Sequence, residues 1–347
     1  MLVSVGRGGP AAEVAPPSFY DVAGRTLSVS VSDERAARAV GVYLGAFHLT
    51  PAATSEAVEI ACRLEFSHGP PPPLPPGLQS FDIPVGVCRT DGQSYFMDVR
   101  ASRVCVEPPP ARRVRTWLGG LRPAREFDGP GGPVPYAFQA ALRRAGLYEL
   151  HAAAVAETEG GAGVLLVGES NSGKSTLTLK LAQAGWRYLS DDTLLLSAAG
   201  SMTEAHAFRR YFSFPDALLE AVPLARAAEA MRERVPFFPD KRPLDPSVAF
   251  PGQFLERCTP RAVCFPVVTG EGESRLLPLS PSQAMTRLVE QCPWSCYDRQ
   301  SSAHHLGVLS ALARQSDSFV LLAGRDILDA EGRAESLLRE CLGGGRP

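Results

Sequence analysis

Gly168-Glu169-Ser170-Asn171-Ser172-Gly173-Lys174-Ser175 is the stretch whose reading decides the fold. It fits the pattern GxxxxGK[ST], entered from the apolar run Val164–Val167 and left through Lys174–Ala184, a predicted helix that Gly185 ends. The spacing has a physical reason. Small residues let successive backbone N–H groups converge on an anion, and the helix that follows points its positive end at the same place. Lys174 adds a point charge for terminal phosphates, and the hydroxyl of Ser175 is a hard oxygen donor for Mg²⁺. The residues expected around a bound nucleotide are Gly168, Glu169, Ser170, Asn171, Ser172, Gly173, Lys174, Ser175 and Thr176.

Outward from this loop the chain alternates strand and helix. Upstream, Tyr136–Ala145 has helical spacing with Gly146 as its stop, Ala152–Ala156 reads as a strand, and Glu159–Gly163 turns into Val164–Val167. Downstream, Tyr188–Leu189 and Leu194–Leu196 read as strands that flank Ser190-Asp191-Asp192. Successive side chains along a strand point opposite ways, so two adjacent carboxylates can divide their work, one at a metal and one accepting a proton from a hydroxyl. His151 stands at the head of the first of these strands as a supporting residue. The order indicates an α/β core. No guanine-reading NKxD segment and no late acidic strand of the ordinary ATPase type is present.

The rest of the chain is organised by proline and glycine. Asp128–Val134 (DGPGGPV) reads as a linker, which gives a first domain over 1–127, a linker over 128–135 and a second domain over 136–347. In the first domain Thr26–Val31, Val58–Leu64, Ser94–Val99 and Ser102–Val106 read as strands, and Glu34–Leu44 as a helix capped by Asp33. This makes it a β-rich α+β domain without a catalytic grouping. His68–Gly77 (HGPPPPLPPG) reads as an extended exposed loop. Near the C-terminus Pro281–Gln291 reads as a helix opened by Ser280 or Ser282, Ser318–Ala323 as a strand and Ala330–Leu342 as a helix, with His304 and His305 structural or exposed.

Composition narrows the classes. The 347 residues suit about two domains, and 45% apolar with 21% charged residues is ordinary for a globular protein. A net charge of −2 and no basic stripe argue against nucleic acid as a partner. Arg112, Arg113, Arg115, Arg122 and Arg125 read as a solvated face or domain junction. No run of eighteen apolar residues and no signal-like N-terminus is present, so the expectation is a soluble cytoplasmic protein without membrane contact. None of the eight cysteines falls in a CxxC pair, and they read as reduced, buried thiols rather than metal ligands.

A histidine at a strand start, a phosphate loop, one helix and then an Asp-Asp pair together resemble the HPr kinase/phosphorylase family. The likeness extends to that family's kinase-like relatives and to the nucleotide core it shares with phosphoenolpyruvate carboxykinase. It covers roughly residues 134–250, with weaker support to about 330. It implies an HPr kinase/PEP carboxykinase-like P-loop core behind an N-terminal β-rich domain. It further implies ATP (or GTP) and Mg²⁺ as cofactors, Lys174 on phosphate, Ser175 and Asp191 at the metal, Asp192 as general base, and His151 in support. Asn171 stands where the family usually has glycine, and asparagine tolerates the left-handed conformation better than most residues. The chain has no counterpart of the Arg-Gly-Leu-Gly-Ile stretch of true HPr kinases. Phe208-Arg209-Arg210-Tyr211-Phe212 and Phe238-Pro239-Asp240-Lys241-Arg242-Pro243 instead look like the basic positions of HPr-kinase-like proteins in peptide-modifying gene clusters, some of which resemble peptide serine kinases of lasso-type precursors. There Arg210, Lys241 or Arg242 would steady the transferring phosphoryl group. The implied activity is phosphorylation of a serine-type hydroxyl on a peptide or protein, such as a ribosomal-peptide precursor, by a protein that forms a homo-oligomer or acts alone. The alternatives are a small-molecule hydroxyl kinase and a non-catalytic nucleotide-gated binding module.

Overall fold

Short alternating runs such as Tyr95-Phe96-Met97-Asp98-Val99 bury every second side chain, the period of a strand with one face on a core. In the computed structural model, which describes residues 17–52, 59–83, 86–108, 110–119, 132–158, 160–214, 242–292 and 298–343, these runs form a nine-stranded sheet. Its strands are β1 (Ser18–Val22), β2 (Arg25–Val31), β3 (Thr50–Pro51), β4 (Ile60–His68), β5 (Gln79–Ile83), β6 (Gly86–Thr90), β7 (Tyr95–Val99), β8 (Ser102–Val106) and β9 (Arg113–Leu118), in the order β3-β1-β2-β4-β9-β8-β7-β6-β5. Helix α1 (Glu34–Leu44) lies between β2 and β3 in sequence, and the Asp33 carboxylate accepts from the Ala36 N–H at its start. Strands β2, β4 and β9 run parallel, and β5 to β9 form an antiparallel meander. Strand β4 continues to His68, four residues past the expected end at Leu64, because Phe66 alternates onto the same buried face as Leu64. The other expected end, Val58, lies outside the described residues. Arg113 and Arg115 ion-pair with Glu65 and Glu107, so the basic stretch is a charge-balanced sheet surface as far as it is described. Arg122 and Arg125 lie outside the described residues.

The described chain divides into two compact units, the first within Met1–Tyr20, Thr26–Val42 and Pro51–Ala141, the second within Asp21–Arg25, Tyr43–Thr50 and Leu142–Pro347. Helix α2 (Pro133–Arg144) leads from the first into the second, starting at a proline that suits a first helical turn rather than at Tyr136.

In the second unit the strands are β10 (Tyr148–Leu150), β11 (Ala152–Ala156), β12 (Gly163–Val167), β13 (Arg187–Ser190), β14 (Leu194–Ala199), β15 (Met202–Ala207), β16 (Phe212–Phe214), β17 (Arg242–Leu244), β18 (Arg257–Cys258), β19 (Pro260–Val268), β20 (Arg275–Leu279) and β21 (Asp317–Ala323). A six-stranded sheet runs β13-β11-β12-β19-β21-β20, with β12, β19 and β21 parallel at its centre and antiparallel strands outside. Strands β11 and β12 are buried throughout because both faces are covered, which is why their sequences are unbroken apolar runs. One face, through Val155, Leu166 and Cys264, packs on helices α3 (Lys174–Gln183) and α8 (Arg333–Gly343). The other, through Ala154, Leu165 and Val263, packs on α5 (Pro281–Glu290), α6 (Arg299–Gln315) and the antiparallel sheet β10-β14-β15-β18. Two short helices, α4 (Pro246–Ala249) and α7 (Asp326–Asp329), complete the described elements, and β16 pairs with β17. This is a mixed α/β architecture.

Three further elements of the second unit depart from the sequence expectation, besides strands such as β15 and β20 that it does not include. Strand β19 was unread because Pro266 argues against a central strand. Its ladder to β12 ends at Cys264, so the missing donor at 266 leaves that ladder intact. Helix α6 is obscured by Ser-Ser, His-His and Gly307, residues of weak helix propensity, and Asp298 caps it through the N–H groups of Gln300 and Ser301. His305 on this helix is buried and stacked on Tyr148 at 4.8 Å, whereas His304 is exposed. Helix α8 begins at Arg333, after Gly332 with φ 74° ends the preceding turn. Of the two serines at the start of α5, Ser280 is the cap, in a reciprocal pair with Gln283.

The cysteines described are free and buried, and burial pushes the Cys258 and Cys292 thiols up to about 12. Cys296 lies outside the described residues. Among the described residues no His, Cys, Asp and Glu group is arranged to hold a metal by itself, and no helix is long and apolar enough to cross a membrane.

Candidate active site

The loop of residues 168–173 leaves β12 at the sheet's centre and enters α3. Two of its residues have left-handed backbones, Asn171 at φ 68° and Gly173 at φ 100°. Asparagine carries that conformation more readily than other non-glycine residues, so the backbone strain at 171 is small. A Cβ at Gly168 would lie 2.9 Å from the Ser172 hydroxyl, which would have to turn away. The Lys174 ammonium folds back into the loop and donates to the carbonyls of Gly168 at 2.6 Å and Glu169 at 2.8 Å. Lys174 is buried, and Thr178 one turn on anchors its carbonyl at 2.9 Å. A buried ammonium inside a ring of backbone groups is a cationic floor for an anion. Ser175 and Thr176 begin α3 and are half-buried, while Glu169 and Ser170 lie on the exposed rim.

Strand β13 ends at Ser190 and delivers the two aspartates to different surroundings. Asp191 is buried, with 1% of its surface exposed. Its Oδ2 accepts from the Ser213 N–H at 2.9 Å, and its Oδ1 has no hydrogen-bond partner among the described residues. Burial, then the charge of Asp192, push its carboxyl up to about 7, against the opposing pull of the Ser213 N–H, Arg209 and the Ser175 hydroxyl. Ser175 and Asp191 therefore face one another, which ties the aspartate pair to the start of α3.

Asp192 is held on both oxygens. His151, between β10 and β11, places Nε2 3.0 Å from Oδ1. On Oδ2, Thr193 donates its hydroxyl at 3.1 Å and Arg209 its guanidinium at 3.3 Å. The sequence assigns Arg210, Lys241 or Arg242 to the phosphoryl group, and the structure sets a different arginine, Arg209, against Asp192. Arg209 is 7% exposed and pairs with Asp192, whereas Arg210 is exposed, lies over the Tyr211 ring at 5.5 Å and lines a separate cavity of about 390 Å³ with His48, His206, Phe254 and Arg257. Adjacent extended residues point opposite ways, so only one arginine of the pair can face inward. No local signal announces this, because strand alternation would put Phe208, Arg210 and Phe212 on one side, yet Arg209 is the buried arginine. Lys241 and the side chain of Arg242 lie outside the described residues.

The donor set suits a hard divalent cation. Ser175 offers a hydroxyl and Asp191 a buried carboxylate oxygen with open valence, and Mg²⁺ prefers oxygen ligands. The left-handed turns at 171 and 173 and the space kept by Gly168 suit a loop whose amides converge on an anion.

No family model and no curated protein matches the chain. Among solved structures it aligns with the Hpr(Ser) kinase/phosphatase from Coxiella burnetii at 15% identity, over 56% of this chain and 88% of that one, with a TM-score of 0.30. A likeness this loose carries no weight for fold or activity, and the site stands on its own geometry.

Proposed function

We propose that this protein is a Mg²⁺-dependent phosphotransferase with a P-loop core, moving the terminal phosphoryl group of ATP (or GTP) to a hydroxyl of a peptide or protein. The observation that carries this reading is the division between the aspartates. Asp191 is buried beside the Ser175 hydroxyl, with Oδ1 making no close hydrogen bond among the described residues, and Asp192 is oriented on both oxygens by His151, Thr193 and Arg209. The serine-type acceptor, with a ribosomal-peptide precursor as the leading example, rests on the sequence resemblance of residues 208–212 and 238–243.

The nucleoside triphosphate supplies the phosphoryl group and Mg²⁺ neutralises its oxygens. The loop amides and Lys174 hold the phosphates. Ser175 and Asp191 would hold the metal as oxygen ligands. Asp192 takes the proton of the acceptor hydroxyl as that oxygen attacks the terminal phosphorus and the nucleoside diphosphate leaves. His151 fixes Oδ1, leaving Asp192 one orientation toward the acceptor, and Arg209 holds Oδ2. Arg209 is thus a positioning residue in this scheme.

Mass spectrometry of the protein with Mg²⁺-ATP and serine-containing peptides tests the reading. Gain of one phosphate with the wild type, lost in Lys174→Ala and Asp192→Asn while Asp192→Asn still binds nucleotide, is the expected result. A fully active Asp192→Asn would remove the general base. Tight nucleotide binding with no transfer to any hydroxyl would leave a nucleotide-gated module instead.

A further inference from the structure

A cavity of about 370 Å³ opens beside the loop on the side of β19 and α5. Its walls are the loop from Gly168 to Ser172, the end of β19 from Phe265 to Val268, and Arg287, Glu290 and Gln291 of α5 and its cap. The volume falls in the range of about 300–1,000 Å³ typical of small-molecule sites. Its place is where an α/β sheet receives ligands, outside the carboxyl ends of two adjacent parallel strands, here β12 and β19. Neither Asp192 nor His151 nor Arg209 lines it, so it does not serve the acceptor hydroxyl. Lys174 and Asp191 do not line it either, so it is not where the metal and terminal phosphates are gripped. A nucleotide held by the loop must extend its nucleoside over one rim, and this cavity adjoins the loop from Gly168 to Ser172.

The lining has the chemistry of a base site. Val267 and Val268 expose 43% and 61% of their surfaces, an apolar shelf where the strand leaves the sheet. The Arg287 guanidinium lies 5.8 Å over the Phe265 ring. Arg287 is half-buried in the cavity wall, and a planar guanidinium is suited to stack on a base. Glu290 offers acceptors and Gln291 both donors and acceptors for the edge of a base that carries an exocyclic amine.

We propose that this cavity binds the purine base of the nucleotide, stacked on Arg287 and read at its edge by Glu290 and Gln291. The proposal rests on the nucleotide reading above and supplies the base recognition for which the sequence has no motif. The test is calorimetric titration of the full chain in Mg²⁺ with ADP, UDP and pyrophosphate. ADP is expected to bind more tightly than UDP or pyrophosphate. Arg287→Ala and Arg287→Lys are each expected to weaken ADP about tenfold, since lysine keeps the charge but not the stacking plane, and to leave pyrophosphate unchanged. Glu290→Gln should weaken ADP a few-fold, again without effect on pyrophosphate. If ADP binding survives all three variants at wild-type strength, the cavity does not hold the base. If ADP and pyrophosphate fall together, Arg287 is a phosphate ligand and the proposal fails. UDP binding as tightly as ADP removes the purine assignment. A wild type that binds neither ADP nor pyrophosphate overturns the nucleotide reading itself, a different failure from the others.

Discussion

Asp98 in the first unit and Asp191 in the second are both partly or fully withdrawn from water, yet the chain treats them in opposite ways. Asp98 on β7 is gripped by two arginines, Arg89 of β6 and Arg103 of β8, the latter also reaching Oδ2 at 3.1 Å. Asp191 is more deeply buried, stands beside a second carboxylate, and keeps one oxygen without a described partner. A structural carboxylate is satisfied by its neighbours, because an unpaired buried charge costs stability. The first unit sets its acidic groups opposite arginines across its sheet, Arg113–Glu65 and Arg115–Glu107 beside the Asp98 cluster, whereas the charges nearest Asp191 include a second carboxylate. In the second, Lys174 and the aspartate pair converge at the open end of the parallel strands.

Four experiments would break or sharpen that contrast. The largest effect is expected from Asp192→Asn, which should lower phosphoryl transfer by about 10²–10⁴-fold, the usual worth of a general base, as read by initial rates. Asp98→Asn should leave the rate unchanged. A smaller loss, about ten- to a hundredfold in kcat and worth about 1.4–2.8 kcal/mol, is expected from Arg209→Met. Arg210→Met should show none of this in the same assay, and the reverse ranking would mean that the inward-facing arginine is the wrong one. For stability, Asp98→Asn should cost about 1 kcal/mol in urea melts, the scale of a partly buried ion-pair cluster.

The smallest and most telling effect has the opposite sign. Asp191 has its carboxyl raised from about 4 to about 7 by burial and by Asp192, so between those values the folded chain binds more protons than the unfolded one. Its contribution is therefore favourable below about pH 4 and is lost as pH rises through about 7. In EDTA at pH 8, Asp191→Asn should melt a few degrees higher than the wild type. With millimolar Mg²⁺ the wild type should recover stability and the variant should not. If Asp191→Asn melts lower in EDTA, Asp191 behaves like Asp98 and the contrast collapses.

Much of this was legible along the chain because its physical signals are local. The loop spacing, the unbroken apolar runs of β11 and β12 and the adjacent carboxylates follow from backbone periodicity and phosphate chemistry. Strand β19 was not legible, because its proline is harmless only where the β12 ladder has ended. Helix α6 was not legible, because weak helix formers are held there by packing through Val308, Leu309 and Leu312 rather than by propensity.

The sequence by itself determined an α/β segment with a phosphate-type loop, and it named His151, Lys174, Asp191 and Asp192 as the chemical candidates. Only the tertiary structure decided which groups meet. It brought His151 across 41 positions to Asp192, set Asp191 against Ser175 with an oxygen to spare, chose Arg209 over its neighbour, and joined β19 to α5 around a cavity that no motif announces. The reason is that periodicity fixes which way a side chain points from its own element. What lies opposite is fixed by how distant elements pack.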